Sequence, residues 1–264
     1  MPHPWSVLGG QTLCLPRSWV QDQKYCLMTQ ENTDARLVRT KRTDPFAGVG
    51  FSNYPACRLA TGLEPEASGP EKPFSPEDSA RLERMKLPHR RQEMAASFTL
   101  LRMLIGDLTG CSPEDVKLAT SEDGAPKLEN PSGWSLSLAN KGATTVIAMD
   151  PAPADIGVDL EFVRALDWYA ILKIVSTEAE REAFRQVYAE RSDCVEAFLR
   201  LWTIKEAVLK ATQRGFRAGP KAIETPPSIL DRSGQGQISA FGERYDFWTV
   251  LSGDALISLA RKRN

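Results

Sequence analysis

The stretch that most constrains the fold of this chain runs from Ile156 to Gly215 and joins a strand pattern to a long helix pattern. The strand pattern contains Asp159 and Glu161, which alternate with apolar residues. Because side chains two positions apart in a β-strand point to the same face, these carboxylates are expected side by side. Like charges that close are costly unless a cation lies among them.

A row of three side chains follows along the predicted helix. Trp202, Glu206 and Lys210 stand at positions i, i+4 and i+8, which share one helix face. If this row faces the strand, three carboxylates and one ammonium group converge, and three oxygen ligands with room for waters suit Mg²⁺. A structural interpretation is open as well. The Glu206–Lys210 pair is then a solvated helix contact, and the two strand carboxylates form an exposed edge.

Taken together, the two pieces resemble the signature of the 4′-phosphopantetheinyl transferase superfamily, in particular its monomeric, surfactin-synthetase-activating type. Gly-Val-Asp-Leu-Glu at 157–161 is followed by Trp-Thr-Ile-Lys-Glu-Ala-Val-Leu-Lys at 202–210. Both halves occur in order, and 206 − 159 = 47 positions separate their central acidic residues. A lone Lys-Glu-x-x-x-Lys would mean little. The resemblance covers roughly 73–259.

The resemblance implies an α+β fold of two pseudo-symmetric α/β halves, with coenzyme A and the active site between them. The N-terminal half is expected at 54–150 and would contact the coenzyme A nucleotide. The C-terminal half is expected at 151–264 and would carry the metal ligands and the catalytic helix. Residues 1–53, which the resemblance does not cover, are expected as an N-terminal extension that can be flexible, with Met28 as an alternative start.

Local patterns alternate between helices and strands and favour the same mixed fold. Ser75 is expected to begin a short helix as its N-cap, and apolar spacing predicts a longer helix after Pro88 that ends at Gly110. A capping box at 177–180 predicts a helix to about Glu190, and a longer helix is expected over about 193–214. Strands with short connections, which indicate a largely antiparallel sheet, are predicted at 58–63, 116–119, 135–138, 144–149, 156–161, 237–241, 247–251 and 255–259.

The activity that the resemblance implies is transfer of the 4′-phosphopantetheine arm of coenzyme A to a serine hydroxyl of an apo acyl or peptidyl carrier protein. Adenosine 3′,5′-bisphosphate is released. Asp159, Glu161 and Glu206 would then hold Mg²⁺ against the pyrophosphate. Glu206 would also be the general base, and Lys210 would be a catalytic cation that faces the phosphates.

The resemblance also indicates where the nucleotide end of coenzyme A would bind. Arg90 and Arg102 match basic positions on the 3′-phosphate and adenine side. Two departures concern this end. A phosphate-binding His of the family is replaced by Asn140, and a Lys is replaced by Ala125. Asn140 can still donate a hydrogen bond and Lys141 can restore a charge, so both are expected to contact coenzyme A.

Two other functions are compatible with the same residues. One is a different Mg²⁺-dependent phosphotransferase, against which stands the lack of a Gly-x-x-x-x-Gly-Lys phosphate loop. The other is a non-catalytic relative that binds coenzyme A or a carrier protein. The missing His and Lys support this second alternative, and the intact acidic residues oppose it.

Composition narrows the partners and the compartment. The formal net charge of −1 over 264 residues gives no electrostatic reason to expect nucleic acid or an anionic membrane as a partner. No apolar run reaches the length of a membrane helix, and the N-terminus lacks a signal-peptide pattern. The five cysteines are scattered, which is typical of reduced thiols. A cytoplasmic monomer is expected.

Overall fold

Two central strands are buried along most of their length, and this decides the layering of the fold. In the strands at 144–151 and 255–262, the first six residues of each are all buried. Because successive strand side chains point to opposite faces, each sheet must be covered on both faces. One face of each sheet packs on the other sheet, and the opposite face packs on helices.

The computed structural model describes residues 41–61, 76–121, 125–142, 144–213, 219–230, 232 and 234–263, all within the compact unit 38–264. The strands are β1 (Lys41–Thr43), β2 (Ala56–Thr61), β3 (Lys117–Thr120), β4 (Pro126–Asn130), β5 (Trp134–Lys141), β6 (Thr144–Pro151), β7 (Ile156–Phe162), β8 (Gly234–Ala240), β9 (Glu243–Ser252) and β10 (Ala255–Lys262). The helices are α1 (Pro76–Glu83), α2 (Pro88–Thr109), α3 (Trp168–Val175), α4 (Glu178–Tyr188) and α5 (Cys194–Ala211).

The strands form two four-stranded sheets and one hairpin. The first sheet has the order β1-β2-β6-β5 and the second has the order β7-β10-β9-β8, while β3 pairs with β4. Every pairing is antiparallel. The predicted α+β class with antiparallel sheet is therefore confirmed at the level of a mixed helix and sheet fold.

Alternation along β6 shows how the layers are built. Val146 and Ala148 lie in the core between the two sheets, and Ile147 and Met149 lie in the core beneath α2. The second sheet repeats the arrangement, because its opposite face packs on α3, α4 and α5. The layers are thus helix, sheet, sheet and helix, with β5 and β7 as edge strands.

Two predicted helix boundaries are confirmed by their caps. Gly110 ends α2 in the left-handed conformation (φ 74°), and its N–H donates to the Gly106 carbonyl at 2.8 Å. The Thr177 hydroxyl begins α4 by accepting from the Glu180 N–H at 3.2 Å. The reciprocal half of the predicted capping box is wrong, since the Glu180 carboxylate bonds Lys205 instead.

Helix α3 is absent from the predicted elements. Its eight residues mix aromatic and β-branched side chains and give too short a run for a clear helical period. Asp167 is the one local signal, because its side chain accepts from the Ala170 N–H at 3.1 Å as an N-cap. α5 is also shorter than the predicted 193–214 and ends at Ala211, while Gly215 lies outside the described residues.

Part of the predicted extension 1–53 takes part in the fold. β1 pairs with β2, and the buried Phe46 packs in the core between the sheets. The Trp248 indole N–H donates to the Ser52 carbonyl at 3.2 Å, which ties this stretch to β9. The rest of the extension, including Met28, lies outside the described residues, as does the predicted N-cap Ser75.

Three cysteines can be placed. Cys57, Cys111 and Cys194 are free thiols, as predicted, and Cys14 and Cys26 lie outside the described residues. Within the described ranges, no helix is long and apolar enough to cross a membrane.

Candidate functional site

The candidate site begins with a close contact between β7 and α5. A Cβ atom at Gly157 would lie 1.9 Å from the Ala207 carbonyl oxygen and 2.8 Å from the Ala211 nitrogen. Only glycine therefore allows the helix backbone to approach this strand so closely. Since Gly157, Asp159 and Glu161 share one strand face, the contact turns both carboxylates toward the helix.

Lys210 joins the helix to the strand. Its Nζ lies 2.9 Å from Asp159 Oδ1 and donates to the Val158 carbonyl at 2.8 Å. Asp159 is buried, and the Lys210 side chain is one-third exposed. The ammonium group thus neutralises one of the two strand carboxylates while keeping contact with solvent.

Glu161 has a second lysine as its partner. Lys141 at the end of β5 donates to Glu161 Oε1 at 2.8 Å, and the Arg164 guanidinium lies 3.7 Å from Oε2. The buried Oε2 accepts no hydrogen bond from the described residues. Burial raises the pKa of Glu161, and the Lys141 ammonium opposes that rise.

Of the three carboxyl groups, Glu206 has the negative charge that neighbouring donors and cations balance least. Its Oε1 is buried and accepts no hydrogen bond within the described part of the chain. Burial first, and then the negative charge of Asp159, raise the pKa of Glu206 to about 8, although Lys210 acts in the opposite direction. At neutral pH and without a bound cation, this group therefore holds a proton.

The acidic cluster, formed by Asp159, Glu161 and Glu206, offers oxygen atoms of the kind that a hard divalent cation prefers as ligands. Two buried carboxylate oxygens, one on Glu161 and one on Glu206, have no hydrogen-bond donor among the described residues. Carboxylate oxygens are ligands that Mg²⁺ and Mn²⁺ favour, so the residues fit such an ion in kind. In the described ranges, however, no three Asp, Glu, His or Cys side chains are grouped closely enough to hold a metal as they stand. Lys141 and Lys210 occupy one oxygen each of Glu161 and Asp159.

Lys205 and Trp202, which lie near Glu206 on α5, contact the protein interior. Lys205 is buried on another face of the helix, where it donates to Glu180 Oε2 at 2.6 Å and to two backbone carbonyls. Trp202 is partly buried and packs against the core beneath the helices. The predicted row of Trp202, Glu206 and Lys210 thus brings its last two members to the strand, and its first member packs in the core.

The basic residues expected at the nucleotide end lie on α2. Arg102 is buried, forms an ion pair with Asp78 of α1 and donates to the Phe98 carbonyl at 3.2 Å. Arg91 is exposed and donates to the Met85 carbonyl. Arg90 lies in the helix, and its side chain is outside the described residues.

Asn140 and Lys141 lie on opposite faces of β5. Leu138 packs beneath α2 and Ala139 packs between the sheets. Alternation therefore puts Asn140 on the α2 side and Lys141 on the side that meets the second sheet. Lys141 therefore contacts the acidic cluster through Glu161. Asn140 lies on the sheet face that α2, the helix with Arg90 and Arg102, covers.

A buried hydroxyl chain next to the cluster was not predicted. Thr203 and Ser258 hydroxyls lie 2.8 Å apart, and Ser258 donates to the Thr249 hydroxyl at 3.0 Å. Ser258 stands directly opposite Asp159 in the β7–β10 register. These linked hydroxyl groups hold α5 to the sheet beside the acidic residues. The sequence signal for such a network is a polar residue inside an otherwise apolar strand.

Comparison with known proteins agrees with the resemblance. Residues 155–260 match the family model of the 4′-phosphopantetheinyl transferase superfamily. This range contains the three acidic residues and Lys210, but not Lys141. The predicted resemblance to this superfamily is therefore confirmed.

Individual relatives show moderate identity. slr0495 of Synechocystis sp. is 30% identical over 150 residues, 55% of this chain and 59% of the relative. The 4′-phosphopantetheinyl transferase HetI of Nostoc sp. is 31% identical over 147 residues, 54% of this chain and 61% of the relative. The 4′-phosphopantetheinyl transferase psf-1 of Bacillus pumilus is 28% identical over 149 residues, 56% of this chain and 62% of the relative. The chain thus spans about three fifths of the length of the curated relatives that it matches.

Proposed function

From the premise that residues 155–260 match the 4′-phosphopantetheinyl transferase superfamily, we propose that this protein is such an enzyme. It transfers the 4′-phosphopantetheine group of coenzyme A to a serine hydroxyl of an apo acyl or peptidyl carrier protein. The reaction depends on Mg²⁺ and releases adenosine 3′,5′-bisphosphate.

One observation carries this proposal. Within the matched region, β7 and α5 bring two strand carboxylates, a helix carboxyl group and a helix ammonium group to one place. Glu161 and Glu206 each keep a buried oxygen without a hydrogen-bond donor among the described residues. Since unpaired buried polar atoms are costly, such atoms suggest a ligand that the folded protein is built to receive.

The acidic residues and Lys210 are assigned separate roles. Asp159, Glu161 and Glu206 would hold the metal ion. When bound, Mg²⁺ would neutralise charge on the pyrophosphate and keep Glu206 ionised at neutral pH. Lys210 lies one helical turn beyond Glu206, and its ammonium group can turn from Asp159 to a phosphate oxygen.

The chemical step requires a base beside the carrier serine. Glu206 accepts the hydroxyl proton, directly or through a water, as the serine oxygen forms a bond to the phosphorus next to the pantetheine arm. The bond from that phosphorus to the bridging oxygen breaks, and adenosine 3′,5′-bisphosphate leaves with the electron pair.

The nucleotide end of coenzyme A is assigned to the first part of the fold. Arg90, Arg102, Asn140 and Lys141 are its proposed contacts, in an N-terminal half 54–150 that is related by pseudo-symmetry to a C-terminal half 151–264. The support is that each half contributes antiparallel strands to one sheet, β2, β6 and β5 in the first half and β7 to β10 in the second, and that one long helix packs on the outer face of each sheet. Arg102 would have to exchange Asp78 for a phosphate oxygen.

The proposal includes a cytoplasmic, monomeric protein whose partners are coenzyme A and the carrier protein. Nucleic acid and membrane are not among the partners, in keeping with a formal net charge of −1. Free thiols at Cys57, Cys111 and Cys194 agree with a reducing compartment.

The test is incubation with coenzyme A, Mg²⁺ and a panel of apo carrier domains, followed by intact-mass spectrometry. The expected result is a mass gain of one phosphopantetheine on at least one carrier. No mass gain is expected when EDTA is present from the start of the incubation. The matched control is the same carrier with its acceptor serine replaced by alanine. If no carrier gains mass although coenzyme A binds, the transferase proposal is wrong.

A second candidate function is binding of coenzyme A or a carrier protein without chemistry. Lysine ammonium groups already pair with Asp159 and Glu161, and the described residues hold no preformed three-ligand group. Calorimetric binding of coenzyme A that is unaffected by EDTA, together with no mass gain, would favour this candidate.

A further inference from the structure

Within the acidic cluster, Glu161 and Glu206 have different charge balances. The Lys141 ammonium lies 2.8 Å from one oxygen of Glu161, and the Arg164 guanidinium lies 3.7 Å from the other. Glu206 Oε1 accepts no hydrogen bond in the described ranges, and Asp159 is paired with Lys210. The strand carboxylate that is expected to bind a metal thus has a positive charge from a different sheet already against it.

Lys141 is placed so that it can leave this carboxylate. It is the last residue of β5, it precedes the turn at Gly142 (φ 56°), and its side chain is 35% exposed. Glu161 is far less exposed, at 14% of its side-chain area. The flexible partner of the pair is therefore the lysine, while the carboxylate is held by the strand.

An ammonium group and a divalent cation repel each other when both contact one carboxylate. Even at the dielectric constant of water, a unit charge within several ångströms of a divalent ion changes its binding by on the order of ten-fold. Binding of a metal ion through Glu161 is consequently weaker while Lys141 remains in place.

We propose that Lys141 is a built-in counter-ion of Glu161 that competes with a divalent cation for this carboxylate. Metal binding through Glu161 requires the ammonium group to move away, so Lys141 lowers the metal affinity of the whole site. The inference rests on the proposed function for the presence of a metal site. In the folded chain the Lys141 ammonium already donates to one of the two Glu161 oxygens.

The test measures Mn²⁺ binding to the full chain by the electron paramagnetic resonance signal of the free ion, without coenzyme A or carrier. Mn²⁺ takes the same oxygen ligands as Mg²⁺. Lys141→Met keeps most of the side-chain length and removes the charge. We expect its Mn²⁺ dissociation constant to fall by on the order of ten-fold.

Three further variants make the result specific. Lys141→Arg keeps the charge and should bind Mn²⁺ as the unmodified protein does. Lys127→Met removes an exposed lysine of β4 and should change the dissociation constant by less than about two-fold, since salt and water screen an exposed surface charge. Lys141→Met in a Glu161→Gln background should give no tightening relative to Glu161→Gln alone.

Four results would overturn the proposal: unchanged or weaker Mn²⁺ binding by Lys141→Met, equal tightening by Lys127→Met, full tightening in the Glu161→Gln background, or no Mn²⁺ binding by any variant. Carrier modification, measured on the same preparations, is a separate readout. Metal competition without carrier modification would reject the transferase activity and leave the role of Lys141 intact.

Discussion

Two charged clusters on different faces of α5 differ in how fully their polar atoms are paired. On one face, buried Lys205 donates to Glu180 and to two carbonyl oxygens, and the second oxygen of Glu180 accepts from the Thr225 N–H at 2.8 Å. On the other face, Glu161 and Glu206 each keep a buried oxygen without a donor among the described residues. The first arrangement is complete without a ligand and the second is not.

This difference separates a stabilising role from a functional one. Removing one partner of a buried ion pair strongly lowers the free energy of unfolding, because the other charge stays buried and unpaired. The Lys205 cluster is therefore expected to stabilise the fold. A group of like charges with unpaired oxygens stabilises little when no ligand is bound, so the Glu206 cluster is expected to serve binding and chemistry. The following changes test this contrast, from the largest expected effect to the smallest.

Lys205→Met should lower the free energy of unfolding by about 3–5 kcal/mol, because it leaves the Glu180 carboxylate buried without its cation. Urea unfolding followed by circular dichroism measures the loss. In the matched control, Lys205→Met is combined with Glu180→Gln, whose amide oxygen can still accept from Thr225. The control should recover more than half of the loss. A single variant within about 1 kcal/mol of the unmodified protein would contradict the stabilising role.

Glu206→Gln should reduce the rate of carrier modification by on the order of 10²-fold or more, because it removes both a charged ligand and the proposed base. Asp159→Ala should have a similar effect. The rate of phosphopantetheine incorporation measures both, and circular dichroism should show that both remain folded. Glu182→Gln makes the same chemical change at an exposed position of α4 and should keep the rate within about two-fold. Near-full activity of Glu206→Gln would remove Glu206 from the mechanism.

The raised pKa of Glu206 predicts a pH dependence of stability in the metal-free protein. The folded state binds this proton more tightly than the unfolded state, so the stabilisation is present below the ordinary pKa of 4.5 and is lost as pH rises to about 8. The slope is up to about 1.4 kcal/mol per pH unit. Urea unfolding in EDTA from pH 5 to pH 8 should show this contribution as a difference between the unmodified protein and Glu206→Gln. Parallel curves would contradict it.

Asn140→His is expected to have the smallest effect. A protonated imidazole gives a phosphate a charge-assisted hydrogen bond, roughly twice as strong as the neutral bond from an amide. The KM for coenzyme A should therefore fall by about three-fold, more clearly below pH 6.5 than above it. Asn140→Gln, which adds length without charge, should show no such pH dependence. An unchanged KM in both variants would mean that this end of β5 does not touch the nucleotide.

Patterns that depend on neighbours in the chain were predicted well. The alternation of Asp159 and Glu161 and the spacing of Glu206 and Lys210 are local, and each pair lies on the face that its element dictates. Gly110 ends α2 because a left-handed residue favours glycine. The missed helix α3 shows the limit, since eight residues give too little periodicity to outweigh aromatic and β-branched side chains.

Contacts between distant residues could not be predicted in the same way. Glu180 fits a capping box by its spacing, yet its carboxylate bonds Lys205, 25 positions later. Arg102 matches a basic position of the family at the nucleotide end, and only the folded structure shows that it pairs with Asp78 of another helix. Each choice depends on which charges the folded layers bring within hydrogen-bond distance.

By itself, the sequence determined the types of most elements, the family resemblance and the faces that carry the acidic residues, because periodicity and motif order are properties of neighbouring positions. The tertiary structure alone decided which charges meet. Lys141 contacts Glu161 and Lys210 contacts Asp159 because β5, β7 and α5 pack together, with α5 in close contact with β7 at Gly157. Electrostatic energy depends on distance and burial, and both are fixed only when these layers have packed.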